Sequence, residues 1–329
     1  MTPNEPPADP PAHRPPPSAA ELVHLKPRDL AGWLYFAWSA ALTALGLALS
    51  ATDPWPVWLL GQCLLAVALL QWFVLLHEAG HGTLFRTRWL NRLAGRVAGY
   101  FAAIPFGCWK PVHGVHHHWA GWQDLDLTTA TLVPRPLSRL ERAVVNVCWK
   151  TGLPLFSTLY RLNNYWYLPR LWRFFPRRHQ RRQLLAGVFS LAAAYALTAY
   201  LVGPVELLRL AGLGLFLSLV LQDPLILSQH THVPQELSGG ADVRPFAPRE
   251  QEVFARSLVF PAWFARFVLL NLDAHELHHM YPAVPGYALH RIDYVPENRI
   301  HWLRWLIRAK RLTGAVFLFQ NRRQTGSPI

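Results

Sequence analysis

The sequence predicts an all-α integral membrane protein in which four transmembrane helices carry a cytoplasmic cap of interfacial helices. Two observations predict this fold class. Hydrophobic residues make up 52% of the 329-residue chain and charged residues only 16%, a balance that does not suit an ordinary soluble protein. Four stretches of about 20 residues are nearly free of charge, and each is long enough to cross a hydrocarbon core about 30 Å thick.

The predicted spans follow each other along the chain as residues 30–50, 57–76, 184–203 and 207–227. The loops after spans one and three, residues 51–56 and 204–206, contain no Lys or Arg, although the net charge is +13. Every large cluster of positive charge therefore lies on the opposite face, together with both termini. The positive-inside rule places that face in the cytoplasm, and we expect a multi-pass protein of a bacterial inner membrane.

Three other segments complete the predicted organisation. Residues 253–272 are apolar but carry two arginines and a proline, so we expect an in-plane helix, with a fifth span as the alternative. Residues 1–28 hold nine prolines and no apolar run, which predicts a disordered tail. A membrane domain over residues 29–310 then precedes a basic C-terminal tail, residues 311–329.

The residues that indicate chemistry are histidines. His275, His278 and His279 have the spacing i, i+3, i+4, which puts three imidazoles on one helical face, where their ring nitrogens can converge on a single point. Residues 113–118 repeat this H-x-x-H-H pattern, with one histidine, His118, rotated off the shared face. A third box contributes His77 and His81 at i and i+4. All three boxes fall on the predicted cytoplasmic face.

Further polar residues near the boxes extend the predicted site. His230 follows span four on the same face and is the expected additional ligand, with His232 as its alternative. Asp124 and Asp126 follow the second box, and either carboxylate could accept the second N–H of a ligating imidazole. Nine imidazoles are too many for one ion and suit two. Iron, zinc and copper all accept such ligands, and spacing does not choose among them.

Other readings of the histidines remain. The sequence from His77 to His81 matches H-E-x-x-H, in which two histidines bind zinc and Glu78 would serve as the general base of an intramembrane metalloprotease. That reading leaves most histidines of the other boxes unused. A metal transporter would need ionisable residues at mid-membrane, and a haem subunit would need only one or two axial histidines.

Taken together, the three boxes resemble those of the membrane fatty acid desaturase and hydroxylase superfamily. The resemblance rests on H-E-x-G-H at the end of a span, H-x-x-H-H about thirty residues later, and H-x-x-H-H-x-Y-P-x-x-P near the C-terminus. It implies a non-haem di-iron centre that activates O2 against an unactivated C–H bond. Carried over residue by residue, the resemblance implies as ligands His77, His81, His113, His116, His117, His230, His275, His278 and His279.

The resemblance also implies the partners. We expect a lipid acyl substrate that enters from the membrane, and a separate ferredoxin- or cytochrome-type electron donor. Nucleic acid is not an expected partner, since the apolar runs assign the basic excess to lipid and topology. The expected reaction is acyl-lipid desaturation. Hydroxylation or ketolation of a carotenoid, sterol or alkane by the same site is the nearest alternative.

Overall fold

The computed structural model describes residues 15–327 and 329, and most of them are helical. In chain order, the α-helices of the described residues are α1 (Asp29–Ser50), α2 (Trp55–His81), α3 (Arg88–Phe101), α4 (Phe106–Trp119), α5 (Arg139–Thr151), α6 (Leu155–Arg161), α7 (Leu168–Phe174), α8 (Arg178–Val202), α9 (Pro204–Leu207), α10 (Leu213–His230), α11 (Ala262–Phe267), α12 (His275–Met280), α13 (Gly286–Leu289), α14 (Trp302–Arg311), α15 (Gly314–Phe319) and α16 (Arg322–Thr325). Two short strands, β1 (Leu258–Val259) and β2 (Ile300–His301), pair in parallel.

Four helical segments of the described chain are long and apolar enough to cross a membrane. They are α1, α2, α8 and the continuous stretch Pro204–His230, in which a π-helical turn, Leu208–Gly212, joins α9 to α10. Each covers most or all of a predicted span. The prediction of a mostly helical protein with four candidate membrane spans is therefore confirmed.

Helix α2 is the centre of this bundle. In α2, 72% of the most apolar 18-residue stretch is buried inside the protein, compared with 22% of the corresponding stretch in α1 and 6% in α8. Close packing on α1 depends on Gly61, where a Cβ atom would lie only 2.6 Å from the backbone nitrogen of Ser50. This approach buries the face of α2 that leads to the first histidine box.

One buried amide ties the bundle together at the π-helical turn. Gln62 of α2 donates to the hydroxyl of Ser50 and to the carbonyl of Leu210, both at 2.8 Å, and accepts from the backbone N–H of Gly214 at 2.7 Å. A π-helical turn leaves backbone groups without their usual helical partners, and apolar surroundings make such groups costly. Gln62 satisfies two of them.

The second histidine box reaches the first through a helical hairpin. Helix α2 is terminated by Gly82, which follows its last residue with a φ of 76°, a conformation that favours glycine. Helix α3 then runs back along α2, and its last residue, Phe101, stacks on Trp72. Helix α4 returns from there, which brings its histidines beside those of α2. The hairpin includes residues 99–108, an apolar stretch too short to cross.

A buried arginine fastens the C-terminal half to the end of α10. Arg256 donates to the carbonyls of Ser228, Thr231 and His232. Burial lowers the pKa of Arg256 to about 10, so the side chain remains charged at neutral pH. These bonds fix the segment that leads through β1 to α12, which carries the third histidine box.

Residues 253–272 do not form one long helix. The segment contains the end of a 3₁₀ helix, strand β1 and the six-residue helix α11, and it is absent from the candidate spans of the described chain. The alternative of a fifth span is therefore wrong. Strand pairing with β2 interrupts the helix, and Pro261 precedes α11.

Apolar side chains of both predicted tails are buried where the structure describes them. Residues 1–14 of the disordered-tail prediction lie outside the described residues. In the rest of that tail, Leu22 and Leu25 are buried against α12, and Tyr281 donates to the carbonyl of Pro17 at 2.7 Å. The predicted C-terminal tail forms α15 and α16, with Phe317 buried against Trp149. These apolar residues bury enough surface to order both segments despite the nearby prolines and charges.

Candidate metal centre

The structure brings the predicted histidines together in two groups. In each group, one candidate ligand atom per residue lies within 4.8 Å of all the others. The first group consists of His77, His81, His113, His117 and His278. The second group consists of His116, His230, His275 and His279. Among the described residues these nine match the set implied by the sequence, and His118 is exposed outside both groups.

The two H-x-x-H-H boxes are each divided between the groups, which corrects the expectation that three imidazoles converge on one point. Helix α4 sends its i, i+4 pair, His113 and His117, to the first group and His116 to the second. Helix α12 places its i, i+4 pair, His275 and His279, in the second group and His278 in the first. The i+3 residue is rotated about the helix axis from the i, i+4 pair, and it therefore faces the neighbouring group.

Ring nitrogens of the first group face each other at short range. The Nε2 atoms of His81 and His113 lie 2.8 Å apart, those of His113 and His117 3.1 Å, and those of His117 and His278 3.0 Å. A metal about 2.0 to 2.1 Å from each nitrogen would separate neighbouring ligand atoms by about 2.9 to 3.4 Å. The observed spacing therefore fits nitrogens arranged around one ion.

The second group has the same spacing. Nε2 of His230 lies 2.8 Å from that of His275 and 3.1 Å from that of His279, and the last two are 3.2 Å apart. The imidazole of His116 closes the group, with its ring centroid 4.7 Å from that of His230. His230 is the last residue of α10 rather than part of the loop in which the sequence placed it.

Three imidazoles of the second group are oriented by hydrogen bonds from Nδ1. His116 donates to the carboxylate of Asp126 at 2.7 Å, His230 to the carbonyl of Phe254 at 3.0 Å, and His279 to the amide oxygen of Gln251 at 2.9 Å. Carboxylate and carbonyl oxygens can only accept, so Nδ1 carries the hydrogen in each ring. The Nε2 atom that faces the centre of the group is then left with a free lone pair, as a metal ligand requires.

Of the two predicted carboxylate partners, only Asp126 lies beside a grouped histidine. Asp126 contacts His116, whereas Asp124 accepts from Ser238 and Gly239 instead. His232 lies outside both groups and donates from Nδ1 to the carbonyl of Gln320 at 3.0 Å. Gln251 was missed because it belongs to no motif and lies far from the boxes in sequence.

Burial keeps five histidines of the two groups neutral. It lowers the pKa of His113, His117, His275, His278 and His279 well below the ordinary value, and neighbouring imidazoles lower it further. Burial alone would raise the pKa of Asp126, but His116 and the hydrogen bond from Thr128 hold that pKa below its usual value. At neutral pH these rings are therefore uncharged, the form that binds metals.

The geometry of Glu78 argues against the protease reading. One of its oxygens accepts from Gly286 N–H at 2.8 Å and from the hydroxyl of Thr83 at 2.9 Å, and the other lies 3.4 Å from Nδ1 of His77. Glu78 thus faces the outer nitrogen of His77 and is buried. A general base would have to face water on the opposite side of that ring, at the ion.

An apolar cavity leads to the histidines. Its volume is about 590 Å³, and it is lined mainly by side chains of α5, α6 and the segment after α4. At its inner end Leu132, Phe156 and Tyr160 also line a second cavity of about 40 Å³, whose walls include His77 and His116. The two cavities share these residues, so an apolar chain in the larger one would point at the two groups.

Two clusters of buried imidazoles at the ends of long apolar helices define the class of histidine-box membrane proteins. A comparison with protein families identifies the member: the fatty acid desaturase family model matches residues 53–308, and the chain belongs to that family.

Individual relatives are distant. A probable fatty acid desaturase of Sorghum bicolor is 25% identical over 76% of this chain and 66% of its own length. The sn-1 oleoyl-lipid 12-desaturase of a Picosynechococcus strain is 24% identical over 81% of this chain and 80% of its own length. For a ferredoxin-type sn-2 acyl-lipid omega-3 desaturase of Arabidopsis thaliana, the identity is 23% over 71% of this chain. The chain spans only about half of that enzyme, 54%.

Proposed function

We propose that the protein is an O2-dependent membrane desaturase that introduces a C=C bond into a fatty acyl chain carried by a lipid. The observation that carries this proposal is the apolar cavity of about 590 Å³, which shares Leu132, Phe156 and Tyr160 with a smaller cavity lined by histidines of both groups. Relatives named for oleoyl-lipid and acyl-lipid desaturation support a lipid-bound acyl substrate. In the overall reaction CH2–CH2 loses two hydrogens, and O2 takes these and two further electrons and protons to give two waters.

The donor set fits two iron ions, one in each histidine group. Nε2 of His77, on the side of the ring away from Glu78, is buried without a hydrogen-bond partner among the described residues. Such an orphaned nitrogen is costly unless something binds it. Iron bound by these imidazoles would supply the oxidising chemistry with O2. The nine histidines would hold the ions, and Asp126, Gln251 and the Phe254 carbonyl orient three of the rings.

The cavity supplies binding and position. Each buried methylene contributes about 0.8 kcal/mol, so an acyl chain binds without a charged contact. Leu132, Phe156 and Tyr160 form the passage through which a chain reaches the histidines, and they therefore set which carbons lie beside them. An apolar lining also excludes water from the site.

We further propose that both termini and all histidines of the two groups are cytoplasmic. The absence of Lys and Arg from residues 51–56 supports this orientation. Accessibility labelling in a cysteine-free variant tests it at exposed positions. A cysteine at Asp242 should react only from the cytoplasm and one at Asp53 only from outside. The reverse pattern would overturn the orientation.

The electron donor is proposed to be a separate ferredoxin-type protein, as the names of several relatives indicate for those enzymes. The decisive experiment expresses the chain with ferredoxin and its reductase and analyses membrane fatty acids by mass spectrometry. Products with two hydrogens fewer support desaturation. Products with one oxygen more, and none unsaturated, would instead support a hydroxylase or ketolase that uses the same histidines.

A further inference from the structure

A second large groove lies between the α3–α4 hairpin and α8. Its volume is about 700 Å³, and none of its lining residues lines the acyl cavity. The hairpin and α8 also contact each other along the groove. A Cβ atom on Gly187 would lie 3.2 Å from the Cα of Gly107, and the hydroxyls of Tyr100 and Thr198 lie 2.7 Å apart. Gly107, Gly187 and Tyr100 are themselves among the residues that line the groove.

The walls of the groove carry positive charge without a protein counter-charge. Arg92 and Arg96 lie one turn apart on α3, and Lys110 projects from α4; all three are exposed and line the groove. No acidic residue lines it. Among the described residues, none of the three cations has an ion pair or a side-chain hydrogen bond. Three like charges around one concave surface raise its positive potential and attract an anion.

The rest of the groove is apolar and follows a candidate span. On α8 it runs from Gln183 to Ala194, a stretch of twelve residues that corresponds to about 16 Å of helix. The side chains there are small or aliphatic, including Ala186 and Leu191. Few residues of α8 are buried by the rest of the protein, since only 6% of its most apolar 18-residue stretch is buried. A ligand of the groove must therefore match both cations and an apolar wall.

We propose that this groove binds one anionic phospholipid. Its phosphate lies among Arg92, Arg96 and Lys110, and one acyl chain lies along α8 from Gln183 toward Ala194. Basic pockets between membrane helices recognise anionic headgroups in this way. A free phosphate would satisfy the cations but leave the apolar wall uncovered. A lipid in the groove contacts both α8 and the hairpin that carries the second histidine box, and so braces one against the other.

The test measures lipid bound to the full chain, purified in detergent and stripped of lipid, by native mass spectrometry. The probes are phosphatidylglycerol and phosphatidylcholine with the same acyl chains. We expect one phosphatidylglycerol per chain, bound more tightly than phosphatidylcholine. The triple substitution Arg92→Gln, Arg96→Gln and Lys110→Gln should weaken phosphatidylglycerol binding roughly a hundredfold, at about fivefold per interfacial cation. Equal binding of both lipids by the unsubstituted chain would overturn the proposal.

Matched variants separate the groove from general charge and folding effects. Replacement of three exposed arginines elsewhere, Arg139, Arg142 and Arg173, by Gln removes the same charge and should leave phosphatidylglycerol binding unchanged. Ala186→Trp fills the groove without altering charge and should abolish the preference, whereas Ala192→Trp on another face of α8 should preserve it. Loss of binding in the arginine control, or its retention in Ala186→Trp, would contradict the assignment.

A thermal-shift measurement identifies the source of the anion. Phosphatidylglycerol should raise the unfolding temperature of the unsubstituted chain but not that of the triple variant. Inorganic phosphate at the same concentration should have no effect on either. An equal shift with inorganic phosphate would replace the lipid by a soluble anion and overturn the proposal.

Discussion

The two histidine groups share helices α4 and α12, yet the protein orients their imidazoles to different degrees. In the second group His116, His230 and His279 each donate a hydrogen bond from Nδ1. In the first group the Nδ1 atom of one ring, that of His77, has a partner among the described residues, and its 3.4 Å contact with Glu78 is long. The second site is therefore oriented before a metal binds, whereas the rings of the first depend more on the metal itself.

Each group also has one helix of its own. Helix α2 supplies only the first group, through His77 and His81, and α10 supplies only the second, through His230. Substitutions on α4 or α12 disturb neighbours of both groups, so they cannot separate them. Substitutions on α2 and α10 each affect one group alone. They can therefore test whether the imidazoles of the second group are held more firmly than those of the first.

The largest effects should follow loss of a ligand unique to one group. His81→Ala and His230→Ala should each reduce desaturation by more than about a hundredfold, since outer partners alone are typically worth 10- to 100-fold. Each should also lose about half of the iron measured by elemental analysis. The iron that remains should leave faster to a chelator in His230→Ala, where it occupies the less oriented first site. Equal rates of loss would refute the difference between the groups.

A smaller effect is expected when the carboxylate behind His116 is removed. Asp126→Asn can still accept one hydrogen bond but loses the charge that favours the Nδ1–H form of the ring. We expect a loss of about 10- to 100-fold in iron affinity or activity. Asp124→Asn is the matched control, because among the described residues the carboxylate of Asp124 accepts hydrogen bonds from Ser238 and Gly239 and from no histidine. If both variants lose activity equally, the second group does not depend on this contact.

Much of this arrangement could be predicted from the sequence because its signals are local. Charge-free runs of helical length mark the spans, and i, i+4 spacing marks histidine pairs such as His77 and His81. The position of His230 beside the boxes was also expected, and the structure places it in the second group, whereas its alternative His232 lies outside both groups. Each of these signals lies within one element and needs no knowledge of packing.

What could not be predicted depends on contacts between distant segments. The division of each H-x-x-H-H box between two groups follows from where α10 and α2 lie relative to α4 and α12. Gln251 reaches His279 from a segment without a motif. Leu22 and Leu25 belong to a proline-rich segment in the sequence, but in the structure they are buried in a cluster with Leu277 and Met280. Tertiary packing determines each of these contacts, and the hydrophobic periodicity of a single segment does not predict how distant segments pack.

Acid should weaken the iron-free protein gradually. Burial lowers the pKa of His113, His117 and the three α12 histidines in the folded chain. In the unfolded chain their pKa returns to about 6.5, so below that pH the unfolded state binds more protons. Stability should therefore fall as pH drops below about 6.5, by at most about 1.4 kcal/mol per pH unit for each such histidine. Thermal unfolding between pH 8 and pH 5 measures this, and a flat profile would contradict it.

The smallest effect should come from Glu78, the one carboxylate beside the first group. In Glu78→Gln the amide oxygen can keep the hydrogen bonds from Thr83 and Gly286, and the NH2 group then faces Nδ1 of His77. That nitrogen must become an acceptor, so the hydrogen moves to Nε2 and the ring no longer binds metal. Four imidazoles of the first group remain, and we expect less than about a tenfold loss of iron retention.

Glu276 provides the matched control for this substitution. It also follows a grouped histidine, but its carboxylate accepts from the backbone N–H of Asn298 at 2.7 Å and contacts no ring nitrogen. Glu276→Gln should therefore leave the rate of iron loss to a chelator unchanged, while Glu78→Gln increases it for about half of the iron. Complete loss of iron in Glu78→Gln would contradict the proposed difference between the groups. The first group would then depend on the contact between Glu78 and His77 as strongly as the second depends on its three Nδ1 hydrogen bonds.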